Sequence, residues 1–276
     1  LFSGDVGNDP STLLPPRASI PEANVLIVES TYGNRRHKTI HNRGLMLERA
    51  IEDVAARKGV LMLPVFATER TQEILFEINE LVQKKRVPVV PVFLDSPLAE
   101  KATEVFSRYT SYYREEVQRL CREHRHLFQF KNLKFAMSVE ESKAINDIPP
   151  PKVILAGSGM SAGGRIIHHE RRYLPDPNSI LLVTGYQSAG SLGRRLLDHE
   201  REVKIRGETV PVRAEVRVID GYSAHADQEE LLQFVDEMRE NLERVSGRAG
   251  RGPGFAKHHS GQIRRCGRVP DVRRKV

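Results

Sequence analysis

The sequence predicts an α/β fold in which a parallel sheet is covered by helices. Three observations carry that expectation. Short apolar segments such as Val60 to Val65 and Lys152 to Ala156 alternate along the chain with longer amphipathic ones. The short segments are hydrophobic nearly throughout rather than at every second position, as in strands buried on both faces. One stretch, Val203 to Ile219, changes character: two alternating segments flank Gly207-Glu208, the pattern of an antiparallel hairpin.

In chain order, Val25 to Val28 is the first strand. From Thr39 to Arg57, residues Ile40, Leu47, Ile51 and Val54 fall near one face of a helix. Val60 to Val65 is a buried strand, and Glu69 to Lys85 a helix through Ile74, Ile78, Leu81 and Val82. Val89 to Leu94 is strand. Pro97 to Tyr109 is a helix with proline in its first turn, where a missing N–H costs nothing. Ser111 to His124 is a further helix. Strand, helix and strand repeat over Lys152 to Ala156, Arg165 to Tyr173 and Ser179 to Thr184, and Gln228 to Glu243 is the last helix.

With 276 residues, 39% of them hydrophobic, the chain has material for one large domain or two ordinary ones. No apolar run approaches the roughly 20 residues that span a bilayer. The first residues lack the basic-then-apolar pattern of a signal peptide. Leu1 is not an initiator methionine, so the natural start is expected upstream. Cys121 and Cys266 have no neighbours at metal-binding spacing and cannot build a disulfide framework, which points to the cytoplasm.

The net charge is +7, yet its location matters more than its size. Between Gly247 and Val276 nine Lys or Arg face one Asp; that +8 leaves −1 for the other 246 residues. The body is therefore not globally basic, and nucleic-acid binding there needs a local groove. Beyond Val245 the hydrophobic period is lost, and residues 247–276 read either as a basic tail without packed structure or as a frame-shifted sequence.

Four places carry chemistry. Asp5 follows Phe2-Ser3-Gly4 at a strand end, where one carboxylate can bridge two metal ions. Glu29 sits at the carboxyl end of the first strand, where ligands collect in open α/β sheets. His225 lies in Gly221-Tyr222-Ser223-Ala224-His225-Ala226-Asp227, with Asp227 placed to cap the last helix. Gly157 to Arg165 follows a strand and opens a helix, so the backbone N–H groups around Ser158, Gly159 and Met160 suit a phosphate, with Arg165 as a fork-shaped donor. Tyr186 reads equally as a base-stacking residue or a packed turn aromatic. His124-Arg125-His126 has a His-x-His spacing but lacks the acidic residue and histidine of a metal cluster and reads as a helix end. One of His168 and His169 can face the groove; Arg70 can help hold it, or Thr68 can cap the helix. His258-His259 receives no role.

As a set, Phe2-Ser3-Gly4-Asp5, Val28-Glu29-Ser30-Thr31-Tyr32-Gly33 and Gly221 to Asp227 resemble the β-CASP branch of the metallo-β-lactamase superfamily, over Leu1 to about Val245. The resemblance implies a partial metallo-β-lactamase domain at 1–34 and 200–246, interrupted by a β-CASP parallel-sheet domain at 35–199. It implies a zinc-dependent ribonuclease, with Asp5 as bridging zinc ligand, His225 as general acid or transition-state stabiliser, and Glu29 orienting it. RNA would lie in a cleft between the domains. Two zinc ions belong to the intact enzyme. The family's His-x-His-x-Asp-His cluster lies upstream of Asp5, and its later strand ending in His-Gly-Glu has no counterpart here, so this chain is expected not to hold both ions and to be inactive alone. Alternatives are a non-catalytic RNA-binding homologue and a DNA-directed metallonuclease. A homodimer is compatible; a membrane is not expected.

Overall fold

A computed structural model gives the fold and describes residues 1–20, 22–37, 41–123 and 126–248. In chain order these form β1 (Val25–Glu29), α1 (Arg43–Arg57), β2 (Val60–Pro64), α2 (Arg70–Gln83), β3 (Val92–Asp95), α3 (Pro97–Arg108), α4 (Glu115–Arg122), β4 (Leu133–Phe135), α5 (Val139–Ala144), β5 (Lys152–Ala156), α6 (Ile166–Tyr173), β6 (Ile180–Val183), α7 (Leu192–Leu197), β7 (Glu202–Ile205), β8 (Glu208–Pro211), β9 (Glu215–Val218), α8 (Gln228–Asp236) and β10 (Arg244–Arg248). Two compact units result. One comprises Leu1–Ser11, Pro16–Lys38 and the chain from Ser223; the other Thr12–Pro15 and Thr39–Tyr222.

In the first unit β1 pairs in parallel with β10, from Val25 opposite Arg244 to Glu29 opposite Arg248. Leu26 and Val28, on one face of β1, pack with Ala226 and with Leu231, Phe234 and Met238. The spacing of those three residues turns one side of α8 and its exit toward the core. β10 corrects the reading that the pattern ends at Val245. Arg-Val-Ser-Gly-Arg has no apolar alternation, and its strand is held by backbone pairing, which composition does not report. The helix before it is also shorter than expected, ending at Asp236.

The second unit is built on six strands in the order β4-β3-β5-β2-β6-β9, every neighbouring pair parallel. Residues of each strand alternate between two cores. Leu61, Leu63, Leu94, Val153 and Leu155 meet the α1 and α2 side chains Leu47, Ile51, Ile74 and Ile78. Met62, Phe93, Ile154 and Leu181 meet Ile166, Leu174 and Leu196 across the other face. Both faces are thus closed, which is why β2, β3, β5 and β6 are buried at every residue.

The Val203–Ile219 stretch is only in part a hairpin. β7 and β8 pair antiparallel through a turn at Arg206 and Gly207, both at positive φ (51° and 85°). β9 leaves that hairpin and joins β6 in parallel. The helix expected over Ser111 to His124 is a 3₁₀ turn at Thr110–Tyr112 followed by α4. Ser96 caps α3, accepting the Ala99 N–H at 3.3 Å, with Pro97 first in the helix. No helix among the described residues is long and apolar enough to cross a membrane.

Candidate active site

The first unit brings Asp5, Glu29 and His225 together. Phe2 bridges Ile27 in parallel, the Ser3 N–H reaches the Ile27 carbonyl at 2.9 Å, and Ser3 Oγ accepts the Glu29 N–H at 3.0 Å. The opening segment therefore runs beside β1 to its carboxyl end. Gly4 then adopts φ 59°, a left-handed conformation glycine enters without a Cβ clash, and the chain turns off the sheet edge. Asp5 stands on that turn with its side chain 71% exposed, whereas Glu29 is 8% exposed.

His225 lies on the segment that leads into α8. Asp227 accepts the N–H groups of Glu229 and Glu230 at 2.8 and 3.1 Å, and Glu230 reaches back to the Asp227 N–H, a reciprocal cap that fixes the segment. His225 Nδ1 is 2.7 Å from Glu29 Oε2, 3.4 Å from Thr31 Oγ1 and 3.6 Å from Asp5 Oδ1. Burial would raise the Glu29 carboxyl, but the hydrogen bonds from His225 and the Val6 N–H (2.7 Å) and the imidazole's charge hold it below the ordinary glutamate range. Glu29 is thus an anion at neutral pH. It accepts the hydrogen on Nδ1 and so fixes the tautomer and orientation of the ring.

His37, absent from the sequence candidates, also holds this segment. Its Nε2 donates to the His225 carbonyl at 3.0 Å, its N–H donates to Asp227 Oδ2 at 3.0 Å, and its ring meets Tyr32 edge-on at 4.6 Å. A lone histidine eight positions after Glu29 gives no periodic or motif signal, so only the folded contact reveals it.

Asp5, Glu29 and His225 each offer one ligand atom within 4.8 Å of the others. However, both Glu29 oxygens and His225 Nδ1 already serve hydrogen bonds, leaving Asp5 as the exposed carboxylate. Zinc sites take three or four protein ligands. The described residues do not by themselves compose a two-metal centre.

In the second unit, the loop after β5 folds on itself. Ser158 Oγ accepts the Ala162 N–H at 3.2 Å, and the Ile166 N–H donates to the Gly157 carbonyl at 2.8 Å; the Ser158 N–H, expected at a phosphate, donates instead to the Gly163 carbonyl at 3.3 Å. The Gly159 and Met160 carbonyls are held by Gln187 Nε2 (2.8 Å) and the Gly193 N–H (3.2 Å), so the loop containing half-buried Tyr186 braces the glycine-rich one. Arg165 departs from its expected phosphate contact. It donates to Asp95 Oδ1 at 2.8 Å and to the Ala136 and Met137 carbonyls at 2.7 and 2.9 Å, fixing the ends of β3 and β4. His169 does not face a groove either: it is buried, with Nε2 2.7 Å from Asp95 Oδ2, while His168 is exposed. Arg70 is buried in an ion pair with Glu73 at 2.6 Å, and Thr68 is exposed and does not cap α2. The His126 carbonyl accepts from Asn79. His124, Arg125, His258 and His259 lie outside the described residues.

Residues 71–196 match the Beta-Casp domain, and residues 209–251 match the Zn-dependent metallo-hydrolase RNA specificity domain. The chain belongs to the β-CASP family. Among β-CASP relatives it is 38% identical over 235 residues to ribonuclease TTHA0252 of Thermus thermophilus, covering 85% of this chain and 54% of that protein. It is 33% identical to an RNase J-like protein of Methanocaldococcus jannaschii (85% and 54%) and 30% identical to transcription termination factor FttA of Methanosarcina mazei (89% and 40%). The chain spans about half the length of the relatives it matches. The β-CASP match falls in the second unit, and the acid–histidine pair in the first. Membership in this family of metallo-hydrolases implies a metal cofactor.

Proposed function

We propose that the chain is part of a ribonuclease that hydrolyses RNA phosphodiester bonds, with His225 as the proton-transferring group, Glu29 as the residue that orients it, and Asp5 as a metal ligand. The observation that carries this reading is the 2.7 Å contact between His225 Nδ1 and a Glu29 carboxylate held ionised, beside exposed Asp5. A histidine fixed in this way, partly exposed beyond the end of a strand, presents Nε2 to a leaving oxygen and donates a proton as the P–O bond breaks. The names of the ribonuclease relatives support RNA as substrate.

The metal in this reading is zinc, two ions in the complete protein, with donors besides Asp5 coming from outside the described residues. The backbone N–H groups at Gly159 and Met160 are assigned to RNA phosphate, with Tyr186 on the bracing loop; the Ser158 N–H is taken by the Gly163 carbonyl, and Arg165 is assigned to hold the loop's surroundings rather than the substrate. The domain reading keeps the β-CASP part as an insert within a metallo-β-lactamase-type part. A homodimer and a cytoplasmic location belong to the same reading and are open to sedimentation and cell fractionation.

The test is cleavage of end-labelled single-stranded RNA by the full-length protein, with and without a zinc chelator. Chelator-sensitive cleavage that His225→Ala abolishes supports the reading. A parent protein that leaves RNA intact with zinc supplied, or a variant as fast as the parent, overturns it.

A further inference from the structure

Phe66 follows the carboxyl end of β2 and is 44% exposed, although it stands in a unit whose neighbouring apolar side chains are almost all buried. Its setting is specific. A Cβ built on Gly159 would lie 2.5 Å from both Cδ2 and Cε2 of Phe66 and 3.0 Å from Cγ. Near-equal approach to three ring atoms puts the glycine over the face of the ring; an edge-on approach would leave Cγ much farther away than the other two. A Cβ on Gly185 would touch Cε2 at 3.7 Å. The Phe66 carbonyl is pinned by the Thr71 hydroxyl at 2.6 Å, and the Val65 N–H donates to the Ala156 carbonyl at 3.0 Å. One ring face is therefore packed on backbone of the glycine-rich loop, the chain on either side of the ring is anchored, and 44% of the residue stays exposed.

An apolar ring exposed for no reason loses contacts it could have made inside. Here the fold instead keeps glycine at position 159, where any side chain would strike the ring, and so holds the ring flat against the loop. Such a fixed aromatic plane matches the flat face of a nucleobase, and base–aromatic stacking is sequence-tolerant because every base has such a face. The partner residue on the covered face, Gly159, belongs to the loop whose N–H groups are assigned to phosphate. A phosphate and the base attached to it would then be held by adjoining parts of one surface, at the carboxyl edge of a parallel sheet where ligands collect.

We propose that Phe66 is a base-stacking platform for single-stranded RNA, seated on Gly159 beside the phosphate-binding loop. This rests on the ribonuclease reading and adds to it a subsite that takes the base rather than the phosphate.

The chain contains no tryptophan, so Phe66→Trp introduces a single indole reporter. Short oligoadenylate is titrated into this variant while binding is followed independently by the anisotropy of an end-labelled RNA. The expected result is saturable quenching of the indole fluorescence by oligoadenylate, with little quenching by an abasic oligomer of the same length. Phe66→Leu, its fold checked by thermal melting, is expected to bind oligoadenylate about 5- to 100-fold more weakly, as for one lost stack. Its affinity for the abasic oligomer should equal the parent's. RNA that binds without quenching the indole, together with parent-like binding by Phe66→Leu, overturns the stacking role and leaves the ribonuclease reading standing. Equal quenching by the abasic oligomer also overturns it. Failure of the parent protein to bind RNA by anisotropy removes the reading beneath it.

Discussion

The two units each hold a histidine against a carboxylate at the end of a parallel strand, both at 2.7 Å: His225 with Glu29 of β1, and His169 with Asp95 of β3. Their surroundings differ. Asp95 is 0% exposed, is enclosed by Ser142 and Arg165 as well as His169, and faces no solvent. His225 keeps 27% of its side chain exposed next to a carboxylate, Asp5, that is open to water. The same pair of groups is thus sealed inside the protein in one unit and partly open to water in the other. The chemistry of the two dyads is alike; the packing around them is what differs.

The largest expected effect separates the two histidines. His225→Ala should lower RNA cleavage by the full-length protein about 10²- to 10⁴-fold with little change in RNA affinity, the range for a group acting in proton transfer. His169→Ala should leave turnover nearly unchanged and lower thermal stability instead. If both variants lose the same activity at unchanged stability, the comparison breaks.

A second contrast sets Arg165 against its expected role. Removing it leaves buried Asp95 short of a charged partner and frees two carbonyls. Arg165→Ala should cost about 2–3 kcal/mol in chemical denaturation. A loss of RNA affinity with parent-like stability and a flatter salt dependence would return Arg165 to phosphate binding.

The carboxylates diverge as the histidines do. Glu29 is held below its usual range by His225, whereas Glu170, next in sequence to His169 and fully buried with Ser161 as its hydrogen-bond partner, is pushed up to about 8 by burial. For an acid whose folded value is raised, the folded state holds a proton that the unfolded state has released. Stability therefore falls as pH climbs from the ordinary glutamate value toward about 8. The slope from this group is at most about 1.4 kcal/mol per pH unit. Glu170→Gln should remove that slope and be more stable than the parent at pH 8. Parallel stability–pH curves for the two proteins would show that Glu170 is ionised in the fold.

Much of the second unit was legible because β2, β5, β6 and their helices carry local signals: continuous apolar runs and a 3.6-residue period. β10 was not, since Arg244 to Arg248 pairs through its backbone with a strand more than two hundred residues away. β4 escaped notice because it is three residues long and only partly buried. Glu29 and His225 were legible as candidates from their motifs, and the fold brings them together. The assignment of Arg165 depended on Asp95, Ala136 and Met137, 28 to 70 positions away, and no local pattern encodes such partners. His37 was invisible for a related reason: its contact is to the backbone of His225, which any residue there would supply.

The central claim is that Glu29 acts through His225. A double-mutant cycle on single-turnover RNA cleavage by the full-length protein tests it, with Glu29→Gln, His225→Ala and the double variant each checked for folding. Once the imidazole is gone, loss of the orienting carboxylate should add almost nothing, so the double variant should cleave as slowly as His225→Ala alone. A double variant slower by the product of the two single effects would show that Glu29 and His225 work independently and would contradict the account.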